Sequence, residues 1–408
     1  MSSIAAAPVA PTMIRERHYR ESLRPLALAA PLLLLLLFSF ATPIIALLSR
    51  AVYEPTIANA LPLTRAALQQ DSSPGVPGEP VFMALAADLK AAQAAGTVYE
   101  FAKSLNTRLP GARSQVLRTA RNAAQAAAAG KDAMIQAAPL LGESRAWSAI
   151  REGTNRFTSY FLLNAFDLRW NEQGAIGAAP AQEAVFVRVF ARTFLISTIV
   201  TLATLALAFP LAYLITNLKP TFAGIILVLV LLPFWTSILV RTAAWTVILQ
   251  KFGLLNDVLL WLGLISDRLE LMYSRTGLIL AMTHIQLPFT LLPIYSVMRS
   301  VQPSQIRAAQ SLGARPLTVF VRVYLPQVMP GLLAGCLLTF ILCLGYYITP
   351  VLIGGGSDQL ISNFIANYVN VELNWEMAAA LSFVLLAFTL GLYVTMTRYL
   401  GLDLFKMG

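Results

Sequence analysis

Pro31-Leu32-Leu33-Leu34-Leu35-Leu36-Leu37-Phe38-Ser39-Phe40 lies within an uncharged run from Pro25 to Ser49, bounded by Arg24 and Arg50. A bilayer core about 30 Å thick takes about 20 apolar residues in helical form, because each residue rises about 1.5 Å. This run is long enough to cross. Backbone groups in lipid must pair internally, so an unbroken run of this length is a helix. Five further runs follow, at about Thr193 to Thr216, Phe222 to Val240, Gly277 to Met298, Gly331 to Ile353 and Met377 to Thr397. The sequence therefore predicts an all-α integral membrane protein with six transmembrane helices.

Composition points the same way. Of 408 residues, 57% are hydrophobic and 12% charged, where soluble domains carry about 25% charge; a water-soluble globular protein is excluded. The net charge of +10 invites a nucleic-acid reading, but the basic residues are scattered between apolar blocks without interleaved aromatics. Membrane lipid is the expected surface partner, and nucleic acid is not. Cys336 and Cys343 share one apolar run and read as small core residues, which excludes a disulfide scaffold, and no Cys/His spacing suits a zinc site. Pro43, Pro210, Pro233, Pro288, Pro293 and Pro350 fall within the runs; each removes a backbone donor, and they serve either as packing kinks or as hinges beside a transport path.

Orientation follows from the bases of the short loops. Arg15, Arg17, Arg20 and Arg24 precede the first span, Lys219 follows the second, Arg299, Arg307, Arg315 and Arg322 follow the fourth, and Arg398 and Lys406 follow the sixth. These segments alternate, so all can face the cytoplasm, with 1–24 and 401–408 as cytoplasmic tails. Asp358, Glu372 and Glu376 mark the last outer loop. Ala58-Asn59-Ala60 resembles a cleavage site, but a 25-residue run exceeds the usual signal core of about 7–15 residues, so the first span is read as retained.

Residues 50–188 carry 14 Lys/Arg and 11 Asp/Glu and form an outer, periplasmic insert; long translocated segments escape the charge bias of short loops. Ser72 to Pro80 is a Pro/Gly-rich loop. Alanine-rich stretches from Val81 to Ala95 and Arg113 to Ala129, the second ended by Gly130, read as helices, and since alanine builds little core the insert is expected to be modest. Trp147, Phe157, Tyr160, Phe161, Phe166 and Trp170 read as anchors at the bilayer interface. Residues 189–400 form the remaining core.

No catalytic constellation is visible. His18 and His284 are the two histidines, too few for a triad or metal cluster, and His284 beside Gln286 is either a packing or a pathway residue. No G-x-x-x-x-G-K-[ST] loop occurs, and Gly354-Gly355-Gly356 lacks the Lys that would follow it. The chain is not expected to be an enzyme, to hydrolyse ATP or to hold a cofactor. The spans also lack the Asp or Glu that ion-coupled carriers place at their coupling sites. Arg241, near a span boundary, either snorkels to the interface or meets the solute or gate.

The loop after the fourth span reads Val301-Gln302-Pro303-Ser304-Gln305-Ile306-Arg307-Ala308-Ala309-Gln310-Ser311-Leu312-Gly313-Ala314, then Val323-Tyr324-Leu325-Pro326. Ser304 is expected to cap a short helix reaching Leu312. Ala308 and Ala309 allow another protein close to the backbone, and Gly313 supplies the positive φ that ends the helix.

This loop resembles that of the permease subunits of ATP-binding-cassette importers, whose pattern is E-A-A, three residues, G, nine residues, I-x-L-P. Ala308, Ala309, Gly313, Leu325 and Pro326 match; Arg307 replaces Glu and Val323 replaces Ile. The resemblance spans about residues 185–400 and leans to the spermidine/putrescine type, through Leu232 to Trp245 and Gly253-Leu254-Leu255-Asn256. Leu344-Gly345-Tyr346-Tyr347-Ile348-Thr349-Pro350 departs where many such members have Leu-Gly-Glu-Phe, which weakens the case for a polycation. The resemblance implies a type I importer permease fold in a bacterial inner membrane, working with ATPase subunits, a second permease subunit and a periplasmic solute-binding protein.

In that reading 299–329 is the coupling loop, with Ser304, Arg307, Ala308, Ala309, Gly313, Leu325 and Pro326 serving the ATPase. Arg307 cannot close a capping box with Ser304 and is expected to meet an acidic residue of the ATPase or to stand exposed. Trp235, Arg241, Trp245, Tyr346 and Tyr347 are candidate pathway residues; the two tyrosines serve equally well at an interface. The solute is expected to be polyamine-like or amino-acid-derived. The rival readings are an ion-coupled carrier and a membrane receptor with 50–188 as its sensor.

Overall fold

The structure, a computed structural model, describes residues 29–71, 73, 75–170 and 175–400, without the side chains of 123–129 and 399–400. The expected tails at 1–24 and 401–408, with His18, lie outside the described residues. Helix α1, Ala29–Ser49, forms a unit of its own with residues up to Arg50. It is apolar on every face, as a helix meant for lipid is, and none of its residues is buried within the chain. Its π-helical stretch Leu37–Ala41 precedes Pro43, so the widened turn sits where proline removes a hydrogen bond.

The insert is almost entirely helical: α2 Thr56–Ala60, α3 Pro62–Gln70, α4 Glu79–Ala94, α5 Val98–Arg108, α6 Ala112–Arg121, α7 Ala123–Ala137, α8 Ser144–Gly153 and α9 Tyr160–Ala165, followed by an antiparallel pair, β1 Leu168–Trp170 and β2 Ile176–Ala178. The single helix expected over 113–129 is instead two, parted at Asn122, and Gly130 (φ 84°, ψ −172°) breaks the second internally. The insert also has more core than its alanines promised. Phe82, Leu85, Phe101, Leu105, Trp147 and Ile150 pack together fully buried, with the rings of Phe82 and Trp147 4.9 Å apart.

Trp147 is therefore not an interfacial anchor. Its indole N–H donates to Leu141 O at 2.8 Å inside that core; the helices of the insert carry enough apolar bulk to enclose it. Phe161 is buried as well, whereas Phe157, Phe166 and Trp170 are exposed. Beneath them Glu54 accepts from Arg108 at 2.6 Å, and the guanidinium lies over the rings of Tyr160 and Phe161.

Helix α10, Phe186–Asn217, starts where the Asp167 carboxylate accepts from the Phe186 and Val187 N–H groups at 2.9 and 2.8 Å, satisfying two orphan donors of the helix end. Helix α9 rests on α19, Trp375–Leu400, and Lys103 Nζ donates to Leu373 O at 2.9 Å, so the insert is tied to the N-terminal end of the last span.

The membrane core is centred on three helices packed against one another: α10, α14 Arg275–Ser300, and α16 Pro316–Leu344. Close approach depends on glycine. A Cβ on Gly335 would stand 2.7 Å from Thr290 O, and one on Gly331 would stand 2.9 Å from Pro293 O; small residues four apart let helix backbones meet in lipid. At that crossing Thr290 Oγ1 donates to Thr204 Oγ1 at 3.0 Å and shares a 2.6 Å bond with Thr339 Oγ1. One hydroxyl from each helix thus ties the trio at fully buried positions.

Two expected spans differ in course. The third, expected straight from Phe222 to Val240, is a bent pair: Pro220–Trp235, comprising α11 Pro220–Leu231 and a 3₁₀ turn, then α12 Ile238–Leu249, turned by 102°. Pro233 lies in that turn, and Ser237 Oγ caps the new helix by accepting from Val240 N at 3.2 Å. The fifth, expected from Gly331 to Ile353, runs earlier as α16, whose Phe320–Tyr324 stretch is π-helical, stops at Gly345 and restarts as the separate short helix α17, Ile348–Ile353. Hydropathy alone bridged this break because Tyr346-Tyr347-Ile348 keeps the run apolar. Among the described residues five helices are long and apolar enough to cross a bilayer, or six with the bent pair taken as one span; the shorter α13 Leu254–Trp261, α15 Pro303–Ser311 and α18 Ile361–Asn370 lie between them.

Candidate functional site

Two places in the core gather the candidate residues. The first is the loop between α14 and α16, where a short helix, Pro303–Ser311, has no buried residue. Ser304 is not its cap. Gln302 occupies the cap position, without a side-chain bond, and Pro303 takes the first helical position, which suits a residue with fixed φ and no N–H to satisfy. The contrast between Ser304 and Arg307 as capping partners therefore disappears, and both side chains are exposed.

The end of this helix is closed tightly. Gly313 has φ +84°, its N–H donates to Gln310 O at 2.9 Å, and Ala314 N–H donates to Ala309 O at 3.2 Å. This is a Schellman closure, with glycine at the left-handed position. The chain then turns through Arg315 into α16, whose Leu325 and Pro326 open its regular α-helical part. Ala308 is exposed and Ala309 half-buried. Leu312, 88% exposed, and Leu317, 74% exposed, flank the turn as uncovered apolar side chains. The loop 299–329 holds four arginines and no carboxylate.

The second place is the inner face of α12 just past the bend. Arg241 is half-buried; its Nη2 donates to Thr236 O at 3.1 Å and its guanidinium lies 5.9 Å from the Phe234 ring centroid. One residue along, Thr242 shares a 3.0 Å hydroxyl bond with Thr349. One turn along, Trp245 Nε1 donates to His284 Nδ1 at 3.2 Å, ring against ring at 5.3 Å. An indole N–H can only donate, so this contact uses the imidazole Nδ1 as acceptor.

Trp245 and His284 are thus brought together, with Arg241 one turn earlier on α12, while the Thr242–Thr349 bond ties that turn of α12 to α17, just after Tyr346. Trp235 is not part of the group: it is 77% exposed at the bend. Tyr347 is also exposed, while the preceding Tyr346 carbonyl accepts from Ser362 Oγ at 2.6 Å. The threonine trio and the Gly331/Gly335 contact were missed in the sequence, although Gly331-Leu332-Leu333-Ala334-Gly335 is a legible small-residue signal. Among the described residues no group of His, Cys, Asp and Glu could hold a metal ion.

Arg241 is energetically unusual. A cation at the centre of a membrane helix costs about 2.5–3.5 kcal/mol, and among the described residues no ion pair relieves it. The bent pair places it at a helix start, where the Thr236 carbonyl and the Phe234 ring offset part of that cost.

Comparison with known proteins adds the lineage. The spermidine/putrescine transport system permease protein PotB of Escherichia coli K12 is 33% identical over 204 residues, covering 50% of this chain and 74% of that protein. Its Haemophilus influenzae counterpart is 31% identical over 220 residues, 53% and 77% of the two chains. The inner membrane ABC transporter permease protein YdcU of E. coli K12 is 33% identical over 225 residues, 52% and 71% of the two. A solved bacterial alginate ABC transporter in complex with an alginate pentasaccharide-bound periplasmic protein aligns at TM-score 0.44 and 20% identity, over 53% of this chain and 79% of that one. Residues 175–400 match the family of binding-protein-dependent transport system inner membrane components, and the chain belongs to that family: it is a multi-pass transport permease rather than an enzyme.

Proposed function

We propose that this chain is the membrane-spanning half of an ATP-driven importer of a small organic solute, polyamine-like or amino-acid-derived, and that it works by alternating access. A periplasmic binding protein delivers the solute to the outer face, a second, non-identical permease subunit completes the path, and ATPase subunits press on Pro303–Ser311. Both termini and the loop 299–329 face the cytoplasm, and 50–188 lies outside. The observation that carries this reading is the Schellman-closed helix with no buried residue, flanked by the bare Leu312 and Leu317, a knob packed on its own chain through Ile306 and left open on its other side. The family membership of residues 175–400 supports the transport role, and the names of the relatives support an amine-bearing solute.

In the coupling loop, Ala308, Ala309 and Gly313 give the partner close access to the backbone, and Arg307 meets an acidic side chain of the ATPase. Leu325 and Pro326 transmit the push into α16. Ser304→Cys tests the topology on which all of this depends. A membrane-impermeant maleimide is expected to label it in inverted vesicles and not in right-side-out spheroplasts. Labelling in spheroplasts, or ATP-independent uptake in vesicles stripped of the ATPase, would overturn the reading.

A further inference from the structure

The geometry points to a carboxylate-recognition site at the bend of the broken third span, formed by Arg241 with Trp245, His284 and Tyr346, so that the solute carries a carboxylate group. This deepens the importer reading and rests on it.

The first ground is charge. The sequence holds no Asp or Glu from 184 to 256 or from 271 to 357, the stretches that supply α10, the bent pair, α14, α16 and α17. Arg241 is therefore a cation in the core without a counter-charge, held by one carbonyl and one ring. A guanidinium presents a planar fork of donors that matches a carboxylate, whereas it repels a polyamine.

The second ground is unsatisfied hydrogen bonding. Arg241 Nε and the Tyr346 hydroxyl are both buried without a hydrogen-bond partner among the described residues. Buried polar groups are nearly always paired. Both can donate, and an ionised carboxylate is acceptor-only. Trp245 adds an apolar wall next to the charge, as expected for the aliphatic part of an amino-acid-like solute, and its N–H is already taken by His284.

The site lies on the inner face of a span whose 102° bend brings the start of α12 against α14 and α17. In this conformation Arg241 Nε and the Tyr346 hydroxyl are out of solvent contact, so the solute reaches them when the surrounding elements part during the transport cycle. The second permease subunit lines the opposite wall and meets the amine end.

The test uses the assembled importer, with its partner permease, ATPases and cognate binding protein, in proteoliposomes. Labelled putrescine, γ-aminobutyrate and ornithine serve as probes; the first two are matched in length and differ in one end group. ATP-dependent uptake of γ-aminobutyrate or ornithine in preference to putrescine is expected. Arg241→Gln should lower that uptake by about tenfold or more, the loss of a charge-assisted bond, while Arg241→Lys retains a larger share. Stimulated ATPase activity with putrescine as the preferred probe, with no carboxylate probe carried, or with Arg241→Gln at the wild-type rate overturns the inference and leaves the importer reading standing. No stimulated ATPase activity and no ATP-dependent uptake of any probe removes both.

Discussion

Replacing Gly335 with alanine tests whether the crossing of α14 and α16 holds the core together. The added Cβ would lie 2.7 Å from Thr290 O and 3.4 Å from the Thr290 C and Cα atoms. Carbon–oxygen contacts between packed helices sit near about 3.3 Å, so the two backbones must part by about 0.6 Å. Because the obstacle is backbone, no rotamer change relieves it. Overpacking of this kind costs about 1–3 kcal/mol. Parting also stretches the 2.6 Å bond between Thr290 and Thr339, and an interhelical bond in a membrane is worth about 0.6 kcal/mol.

Alanine recovers about 1 kcal/mol of helix propensity, which leaves a net destabilisation of about 0.6–2.6 kcal/mol. Gly391→Ala in α19 is the internal reference, since nothing lies within 4 Å of its added Cβ; only the propensity gain of about 1 kcal/mol remains there. The two variants should therefore differ by about 1.6–3.6 kcal/mol, or about 15- to 400-fold in the opening equilibrium. Cys343 reports that opening, because it is 0% exposed within the core. With Cys336 changed to serine, the rate of thiol labelling in detergent micelles measures it directly. Equal labelling of Cys343 in the two variants would refute the packing argument.

Gly313→Val forces a β-branched residue to φ +84°, at a cost of about 1–2 kcal/mol, and opens the Schellman closure; membrane insertion should persist while ATP-dependent uptake falls. In the insert, Glu54→Gln leaves Arg108, whose side chain is 1% exposed, with the longer 3.7 Å pair to Glu152, so a loss at or below the lower end of the range of about 3–5 kcal/mol is expected, read as early proteolysis of 51–165 in the full chain. The paired change Glu54→Leu with Arg108→Met should recover most of it. The Ser73 side chain, then the Gly78 and Ser73 N–H groups, hold the Asp71 carboxyl down at about 2 against 3.8 unfolded. Its contribution to the 71–78 loop is full above pH 3.8 and lost as pH falls toward 2, and Asp71→Asn should erase that acid-dependent rise in protease cleavage.

Much of this protein was legible before any coordinates. The uncharged runs fixed a helical membrane protein, because hydrocarbon allows few other spanning structures, and Ala308, Ala309 and Gly313 at their spacing located the exposed knob. What the runs left open was where apolar helices bend. The break at Thr236–Ser237 and the restart at Ile348 interrupt segments whose hydropathy never drops, and bends there are set by backbone bonding and neighbours rather than by polarity. Ser304 misled for a related reason: a good capping residue loses its place when the proline before it takes the first helical position. Trp147 misled because an interfacial and a core tryptophan have the same sequence context.

Only the tertiary structure decided which polar groups meet. Thr204, Thr290 and Thr339 come from three helices far apart in the chain, and Trp245 and His284 from two. Periodicity reports which face of a helix is apolar; the partner across the interface, and a cation left without one, depend on how closely glycine lets the backbones approach.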